Sequence, residues 1–194
     1  MKHDGPVKPG SPAAALNAAE DKLSPAGRAH ARPCSENNID KDEFFMRQAL
    51  KQAQKAAEKD EVPVGALVVK NGAIIARGYN TREKTHDPSG HAEINALRRA
   101  AKKLGGWNLH GCELYVTLEP CPMCAGAAIN ARIARIIYGA SDAKAGACGS
   151  KINLCAPSLK FNHIPGVTGG VLKDECAFLL TKYFKLKRRK KEER

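Results

Sequence analysis

The chain contains no long hydrophobic run. None of its apolar stretches approaches the roughly 18 residues that a membrane-spanning helix needs. Its first residues lack the apolar stretch of a secretory signal, and residues 1–40 contain as many acidic as basic residues, unlike an organellar transit peptide. We therefore expect a cytoplasmic protein with no membrane partner.

Paired cysteine motifs are also scarce. Among the seven cysteines, only Cys121 and Cys124 are spaced as Cys-x-x-Cys, and neither a second such pair nor a His-x₃₋₅-His follows them. This absence argues against a zinc finger, and a disulfide framework is not expected in a reducing compartment. The other five cysteines are most simply small core residues or bystanders.

Acidic residues are outnumbered by basic ones. The chain has 20 Asp and Glu against 32 Lys and Arg, a net charge of +12. Half of this excess lies in residues 182–194, where eight basic and two acidic residues give +6. A basic terminus suggests a polyanionic partner such as nucleic acid. The alternative is a solvated helix end, because cations also suit the C-terminal end of the helix dipole.

Composition divides the chain into three parts. Residues 1–39 are rich in Ala, Pro, Gly and Ser without a helical or strand period, so we predict a disordered extension. Residues 40–186 alternate predicted strands with predicted helices, which indicates one α/β domain. Residues 187–194 form a basic tail.

Local signals place several element boundaries. Asp40 and Glu43 have capping-box spacing at the start of the first helix. Asn71-Gly72 predicts a two-residue hairpin turn. Asp87-Pro88-Ser89 predicts the start of a second helix, and Pro120 the start of a third.

One set of residues indicates a catalytic metal site. His91, Glu93, Cys121 and Cys124 form the pattern His-x-Glu…Pro-Cys-x-x-Cys. One imidazole and two thiolates suit Zn²⁺, and a site with three protein ligands leaves the fourth position for water, as catalytic zinc sites do. Glu93 is then placed to move the protons of that water. This combination is typical of zinc-dependent nucleobase deaminases.

The spacing also restricts the geometry. His91 and Glu93 are two residues apart, roughly 200° around a helix, so both reach one metal only if it lies off the end of the helix. Two helix starts would then converge on the metal. Two alternatives remain open: Cys112 or Cys148 could close the site as a fourth, structural ligand, or the cysteine pair could be redox-active.

A resemblance to a known family extends over about residues 41–190. The segments that carry it are Glu61-Val62-Pro63-Val64-Gly65-Ala66, Asp87-Pro88 before His91-Ala92-Glu93, Leu114-Tyr115-Val116-Thr117-Leu118-Glu119-Pro120-Cys121, and Gly139-Ala140 followed by Asp142-Ala143-Lys144. In these segments the chain resembles the bacterial tRNA-specific adenosine deaminases. Those enzymes are similar to cytidine deaminase in fold, act as homodimers and convert the wobble adenosine of an arginine tRNA anticodon to inosine.

The resemblance implies a fold, a cofactor and a partner for this chain. The expected fold is a three-layer α/β/α sandwich around a mixed central sheet of about five strands. The expected cofactor is one Zn²⁺ per chain, and the expected partner is the anticodon stem-loop of tRNA. Glu93 would be the catalytic proton carrier, with His91, Cys121 and Cys124 as the metal ligands.

The resemblance also implies substrate contacts. Asn80 would hydrogen-bond the flipped adenine, and Val62 and Ala92 would line its pocket. Asp142 would contact the sugar and backbone of the anticodon loop, and Phe161-Asn162-His163 would meet neighbouring nucleotides.

Two positions depart from the family pattern. Ser141 stands where many members carry Arg or another charged residue, and Cys148 stands where small residues are usual. The extension before the domain has no counterpart in the compact bacterial enzymes.

Two other functions compete with tRNA deamination. One is deamination of free bases or nucleotides, of guanine or cytosine type, on the same fold. The other is an RNA-binding module with structural zinc, against which Glu93 argues because a structural site has no use for that carboxylate. The basic C-terminal helix and the Asp142 segment favour RNA as the substrate.

Overall fold

The computed structural model of the protein describes residues 36–193. Its helices and strands are, in chain order, α1 (Glu36–Ala57), β1 (Gly65–Lys70), β2 (Ala73–Tyr79), α2 (Arg82–Thr85), α3 (Ala92–Leu104), β3 (Cys112–Leu118), α4 (Pro122–Asn130), β4 (Arg135–Ala140), a 3₁₀ turn (Pro157–Leu159), β5 (Gly166–Thr168) and α5 (Lys173–Glu192). None of these helices is long and apolar enough to cross a membrane.

The first and last helices differ from the predicted boundaries. The predicted extension lies outside the described residues up to residue 35, and α1 begins at Glu36 rather than at Asp40. Asp40 is therefore inside the first turns of α1, where its negative charge suits the positive end of the helix dipole. At the other terminus α5 continues through Glu192, so most of the predicted basic tail is helical.

The five strands form one mixed sheet in the order β2-β1-β3-β4-β5. β1 runs antiparallel to both β2 and β3, whereas β3, β4 and β5 are parallel to one another. The predicted mixed sheet of about five strands is confirmed. Because ligands in such sheets bind beyond the carboxyl ends of parallel strands, the edge after β3 and β4 is where a site is expected.

Helices cover both faces of the sheet. Alternate residues of β1 separate the two faces: Ala66 and Val68 join the core beneath α3 and α4, while Leu67 and Val69 join the core beneath α1 and α5. A strand of a sheet that helices cover on both faces is buried on both sides, so both sets of alternating residues are apolar. The three-layer α/β/α sandwich is confirmed.

Two glycines in β1–β2 matter for this architecture. Gly72 has φ +76 and Asn71 has φ 50, so the predicted hairpin turn is present with both central residues at positive φ. Gly78 lets α3 lie against β2, because a Cβ at this position would be 2.1 Å from the Ala92 carbonyl oxygen and 2.6 Å from the Ala96 nitrogen. The start of α3 is thereby fixed against the sheet.

Candidate active site

Two helix starts converge at the candidate site, as the spacing of the motif requires. His91 is the N-cap of α3 and Cys121 is the N-cap of α4, each with an extended backbone conformation. Glu93 follows in the first turn of α3, and Cys124 in the first turn of α4. Both helices therefore present their positive ends to the same place.

The predicted starts of these helices were each a few residues too early. Asp87-Pro88-Ser89 forms a turn, because the Asp87 carboxylate accepts hydrogen bonds from the backbone N–H and the hydroxyl of Ser89 at 2.7 Å each. Because these residues form a turn, α3 begins only at Ala92. Pro120 also precedes its helix: its carbonyl oxygen accepts a hydrogen bond from Ala147 at 2.8 Å, and α4 begins at Pro122.

The three ligand-type side chains lie together. The Nδ1 atom of His91 is 3.7 Å from the Sγ atom of Cys121 and 3.5 Å from that of Cys124. All three ligand atoms lie within 4.8 Å of one another. Zn–S bonds of about 2.3 Å and Zn–N bonds of about 2.0 Å at tetrahedral angles would separate nitrogen from sulfur by about 3.5 Å. The donor set and its spacing therefore fit a zinc ion.

Hydrogen bonding makes the two thiols different. The bond from the Cys124 thiol, assisted by His91, lowers the pKa of Cys121 to about 4 against the opposing effect of burial. The same bond raises the pKa of Cys124. Bonding to Cys121 also raises the pKa of His91. Cys121 is thus a thiolate at neutral pH, the form in which cysteine binds metals.

Glu93 lies beside this group without belonging to it. Its side chain is 4% exposed, and its carboxyl shares a hydrogen bond with the sulfur of Cys124. Burial raises the pKa of Glu93. A buried carboxyl next to three metal-type donors is placed to exchange protons with a molecule at the metal position.

The cysteines considered as a fourth ligand lie elsewhere. Within residues 36–193, His91, Cys121 and Cys124 are the one group of three or more ligand atoms at metal-binding spacing, so neither Cys112 nor Cys148 closes the site. The Cys148 thiol instead hydrogen-bonds Cys155, which raises the pKa of Cys148. The geometry therefore keeps a coordination position open.

The predicted pocket residues lie on neighbouring segments. The Asn80 side-chain oxygen accepts a hydrogen bond from the Ala92 backbone N–H at 2.8 Å. The Asn80 backbone N–H donates to the carbonyl oxygen of Val64, two residues after Val62. Asn80 is 7% exposed and Ala92 is fully buried. The structure thus brings together the end of β2, the start of α3 and the segment before β1.

The other predicted substrate contacts are spread more widely. Asp142 follows β4, and its carboxylate accepts backbone N–H groups of the next turn, from Lys144 and Ala145. Phe161-Asn162-His163 lies along the C-terminal half of α4, in a groove that also includes Arg132. The His163 ring donates a hydrogen bond to the Ile133 carbonyl oxygen at 2.6 Å. Asp142 therefore lies on the loop after β4, whereas Phe161-Asn162-His163 lies beside the end of α4 opposite to the one that carries Cys121.

One buried residue beside the site had no role in the sequence analysis. Glu119, which precedes Pro120 and Cys121, is 2% exposed. Burial opposes its ionisation, but hydrogen bonds from Ser150 and from the backbone N–H groups of Asp142 and Cys148 lower the pKa of its carboxyl. Its sequence signals were its position directly before the Pro-Cys-x-x-Cys motif and its place in a segment that carries the family resemblance.

Comparison with known proteins places this fold and site in a family. The family model for MafB19-like deaminases matches residues 39–175. The tRNA-specific adenosine deaminase of Bacillus subtilis (strain 168) is 48% identical over 151 residues, which cover 78% of this chain and 93% of that protein. The Haemophilus influenzae protein of the same name is 46% identical over 152 residues, covering 78% of this chain and 87% of the relative.

Solved structures agree with these relatives. A structure from work on A-to-I editing by tRNA:A34 deaminases at the wobble position of transfer RNA has 43% identity and a TM-score of 0.65, and the match covers 71% of this chain and 99% of that one. A guanine deaminase from Nitrosomonas europaea is more distant, with 29% identity, a TM-score of 0.64 and coverage of 73% of this chain and 83% of that one. The resemblance inferred from the motifs is confirmed: the chain belongs to the family of tRNA-specific adenosine deaminases.

Proposed function

We propose that this protein hydrolytically deaminates adenosine to inosine at the wobble position of an arginine tRNA, with one zinc ion per chain. The observation that carries the proposal is the buried Glu93 carboxyl, which touches the sulfur of Cys124 but lies outside the group of three donor atoms. A structural zinc site needs four ligands and no neighbouring acid, whereas a catalytic site needs three ligands and a proton carrier.

The roles of the site residues follow from this geometry. His91, Cys121 and Cys124 would hold the ion, and bound zinc supplies a Lewis acid that makes water a better nucleophile near neutral pH. Glu93 takes a proton from the water that attacks the amine-bearing ring carbon. It gives that proton to a ring nitrogen, and then moves the proton of the newly added hydroxyl group to the departing amine, which leaves as ammonia.

The pocket for the flipped base would be formed by Asn80, Val62 and Ala92. The oxygen of the Asn80 amide is engaged by Ala92, so its NH₂ group is the part that can donate to an acceptor atom of the purine. Val62 and Ala92 pack in the same apolar cluster and supply the walls. A pocket with one fixed donor and apolar walls suits a planar base.

Contacts to RNA outside the pocket are proposed for three regions. Asp142 and Lys144 lie on the loop after β4, Phe161-Asn162-His163 lies beside α4, and α5 carries the basic cluster of the C-terminal region. Phe161 is 46% exposed, as a side chain that stacks on a nucleotide must be. The basic residues of α5 would contact phosphates, which contribute affinity independent of sequence.

We also propose a homodimer that works in the cytoplasm. Large apolar side chains are exposed on α4 and in the segment between β4 and β5: Met123 at 39%, Ile152 at 45% and Leu159 at 43%. A second copy of the chain would cover them, since association buries exposed apolar side chains. Light scattering coupled to size-exclusion chromatography measures the mass in solution, and a monomer at micromolar concentration would contradict this part of the proposal.

Deamination of a free base is the second candidate function. It is favoured by the likeness to the guanine deaminase fold, whose TM-score of 0.64 is close to the 0.65 of the tRNA deaminase structure. The two functions share the metal site and Glu93 and differ in what surrounds the base. The net charge of +12 favours the large polyanionic substrate.

One assay separates the two functions. Zinc-loaded protein is incubated with an arginine tRNA transcript, and inosine is measured at the wobble position. Parallel reactions contain guanine, cytosine or free adenosine, and released ammonia is measured. We expect inosine on the tRNA and no turnover of the free compounds. Ammonia release from guanine with an unedited tRNA would overturn the proposal.

A further inference from the structure

The loop after β4, residues 141–150, is fastened to a single buried carboxylate. The Oε2 atom of Glu119 accepts a hydrogen bond from the backbone N–H of Asp142 at 3.0 Å. Its Oε1 atom accepts bonds from the backbone N–H groups of Cys148 and Ser150, also at 3.0 Å each. One side chain therefore binds both ends of the loop.

All the hydrogen bonds that the Glu119 carboxylate accepts come from this loop. It is 2% exposed, and its hydrogen-bond donors are three backbone groups and the Ser150 hydroxyl. No Lys, Arg or His side chain lies within ion-pair distance of it in the part of the chain that the structure describes. Backbone N–H groups thus take the place of a cation, and hydrogen bonds to an ionised acceptor are the strong ones.

The loop is closely fitted to the carboxylate. A Cβ added to Gly146 would lie 2.4 Å from the carboxyl carbon and Oε2 of Glu119, and 2.6 Å from the carbonyl oxygen of Asp142. The Ala147 N–H donates to the carbonyl oxygen of Pro120 at 2.8 Å, which adds a second attachment beside Cys121. These contacts therefore hold the inner side of the loop in one position against Glu119 and Pro120.

The outer side of the same loop faces solvent. Residues 143–145, including Lys144, are exposed, and their turn is closed by the Asp142 carboxylate, which accepts the N–H groups of Lys144 and Ala145 at 2.9 and 3.1 Å. The loop begins where β4 ends, at the edge of the sheet that holds the metal-type ligands. It is a rim of the site with a fixed inner side and a solvent-exposed outer side that carries Lys144.

We infer that Glu119 is a positioning residue for the RNA substrate: its carboxylate holds the loop of residues 141–150 so that Asp142 and Lys144 meet the nucleotides next to the reacting base. The inference rests on the proposed function, since it needs an RNA substrate. Glu119 itself touches neither substrate nor metal. Its loss should therefore weaken substrate binding and leave the chemical step of the bound substrate intact.

The sharpest variant is Glu119→Gln, which keeps the size of the side chain. A glutamine has one acceptor oxygen and an NH₂ group that can only donate, so in either orientation at least one backbone N–H faces another donor. We expect zinc at one per chain. We expect KM for the tRNA to rise by about tenfold or more, the scale of one lost hydrogen bond to a charged acceptor, and the single-turnover rate at saturating tRNA to stay within about threefold.

The matched control is Glu113→Gln, near the start of β3. Glu113 is a half-buried carboxylate that pairs with Lys41 at 2.9 Å and Arg135 at 3.1 Å, far along the strand from Glu119. Its substitution should lower the melting temperature and leave KM for the tRNA unchanged. This control separates general destabilisation from a shift of the loop.

Gly146→Ala tests the same inference without altering the carboxylate, and it carries the test if Glu119→Gln does not fold. The added methyl group displaces the loop, so the same rise in KM with an unchanged single-turnover rate is expected.

An unchanged KM in the variants overturns the inference, as does loss of zinc from Glu119→Gln, which would assign Glu119 to the metal site. A wild-type protein that forms no inosine on the tRNA overturns the proposed function and this inference together, whereas an active wild type with unaffected variants overturns the inference alone.

Discussion

The side-chain oxygen of Asn80 lies 2.8 Å from the backbone nitrogen of Ala92 and accepts its hydrogen bond. Ala92 is the first residue of α3, and His91, in the N-cap position, makes no side-chain capping bond because its ring faces the two sulfurs. Asn80 therefore supplies a cap that the N-cap residue does not provide. The NH₂ group of the same amide is the part proposed to donate to the substrate.

Two substitutions of Asn80 separate these roles. Asn80→Ala removes both the cap and the donor, so it should lower the free energy of unfolding by about 1 kcal/mol and also lower kcat/KM. Asn80→Asp keeps an acceptor for Ala92 but loses the NH₂ donor, so stability should be close to wild type while kcat/KM falls. Thermal unfolding and inosine formation measure the two effects. Full activity in Asn80→Asp would show that the amide does not donate to the base.

Glu93→Ala should leave the fold and the zinc content intact and abolish turnover. The carboxyl lies outside the group of donor atoms, so the metal does not depend on it. A positioned acid–base group contributes about 10²–10⁴-fold to the rate. Metal analysis and inosine formation test both statements, with the exposed Glu58→Ala as the control. Activity within about tenfold of wild type would contradict a proton-carrying role.

Cys121→Ser and Cys124→Ser should each lose zinc and part of their stability, because metal binding and folding are coupled. The control is Cys148→Ala, which removes a buried thiol that bonds Cys155 rather than the ligand group, and it should retain one zinc per chain. Metal content and melting temperature are measured for all three. A fully loaded and active Cys121→Ser would disprove the ligand assignment.

Gly78→Ala should disturb the site indirectly, by displacing the start of α3. Its Cβ would lie 2.1 Å from the Ala92 carbonyl oxygen, which is backbone and cannot rotate away, so α3 must move off β2. We expect unfolding to become easier by about 1–3 kcal/mol and activity to fall with it. Gly106→Ala is the control, since nothing lies within 4 Å of a Cβ there. Equal stability of the two variants, measured by denaturant unfolding, would contradict the close packing.

Removal of residues 187–194 tests the basic end of α5. The deletion removes six basic and two acidic residues, a net change of −4, and it breaks the exposed pair between Lys187 and Asp60, which is worth little. We expect weaker tRNA binding and a shallower dependence of log K on log salt, with a near-normal single-turnover rate at saturating tRNA. Binding measured over a salt series checks this. An unchanged slope would mean that this helix end is only solvated.

The sequence by itself determined the chemistry of the candidate site. Ligand identity depends on residue type and on the spacing within each short motif, so His91, Cys121 and Cys124 could be predicted as zinc ligands without a structure, and the structure brings them together. The Asn71-Gly72 turn was equally predictable, because positive φ at both positions is a local preference. The substrate roles of Asn80, Asp142 and Phe161-Asn162-His163 came from resemblance and stay predictions.

The tertiary structure decided where the helices of the site begin and which side chain holds the loop of residues 141–150. The start of α3 depends on a cap from Asn80, twelve residues earlier. It also depends on Asp87, whose carboxylate closes a turn with Ser89 where the sequence predicted the first residues of the helix. The role of Glu119 depends on N–H groups up to 31 residues away. Local patterns cannot report such partners, because a buried carboxylate is tolerated only where folding brings donors to it.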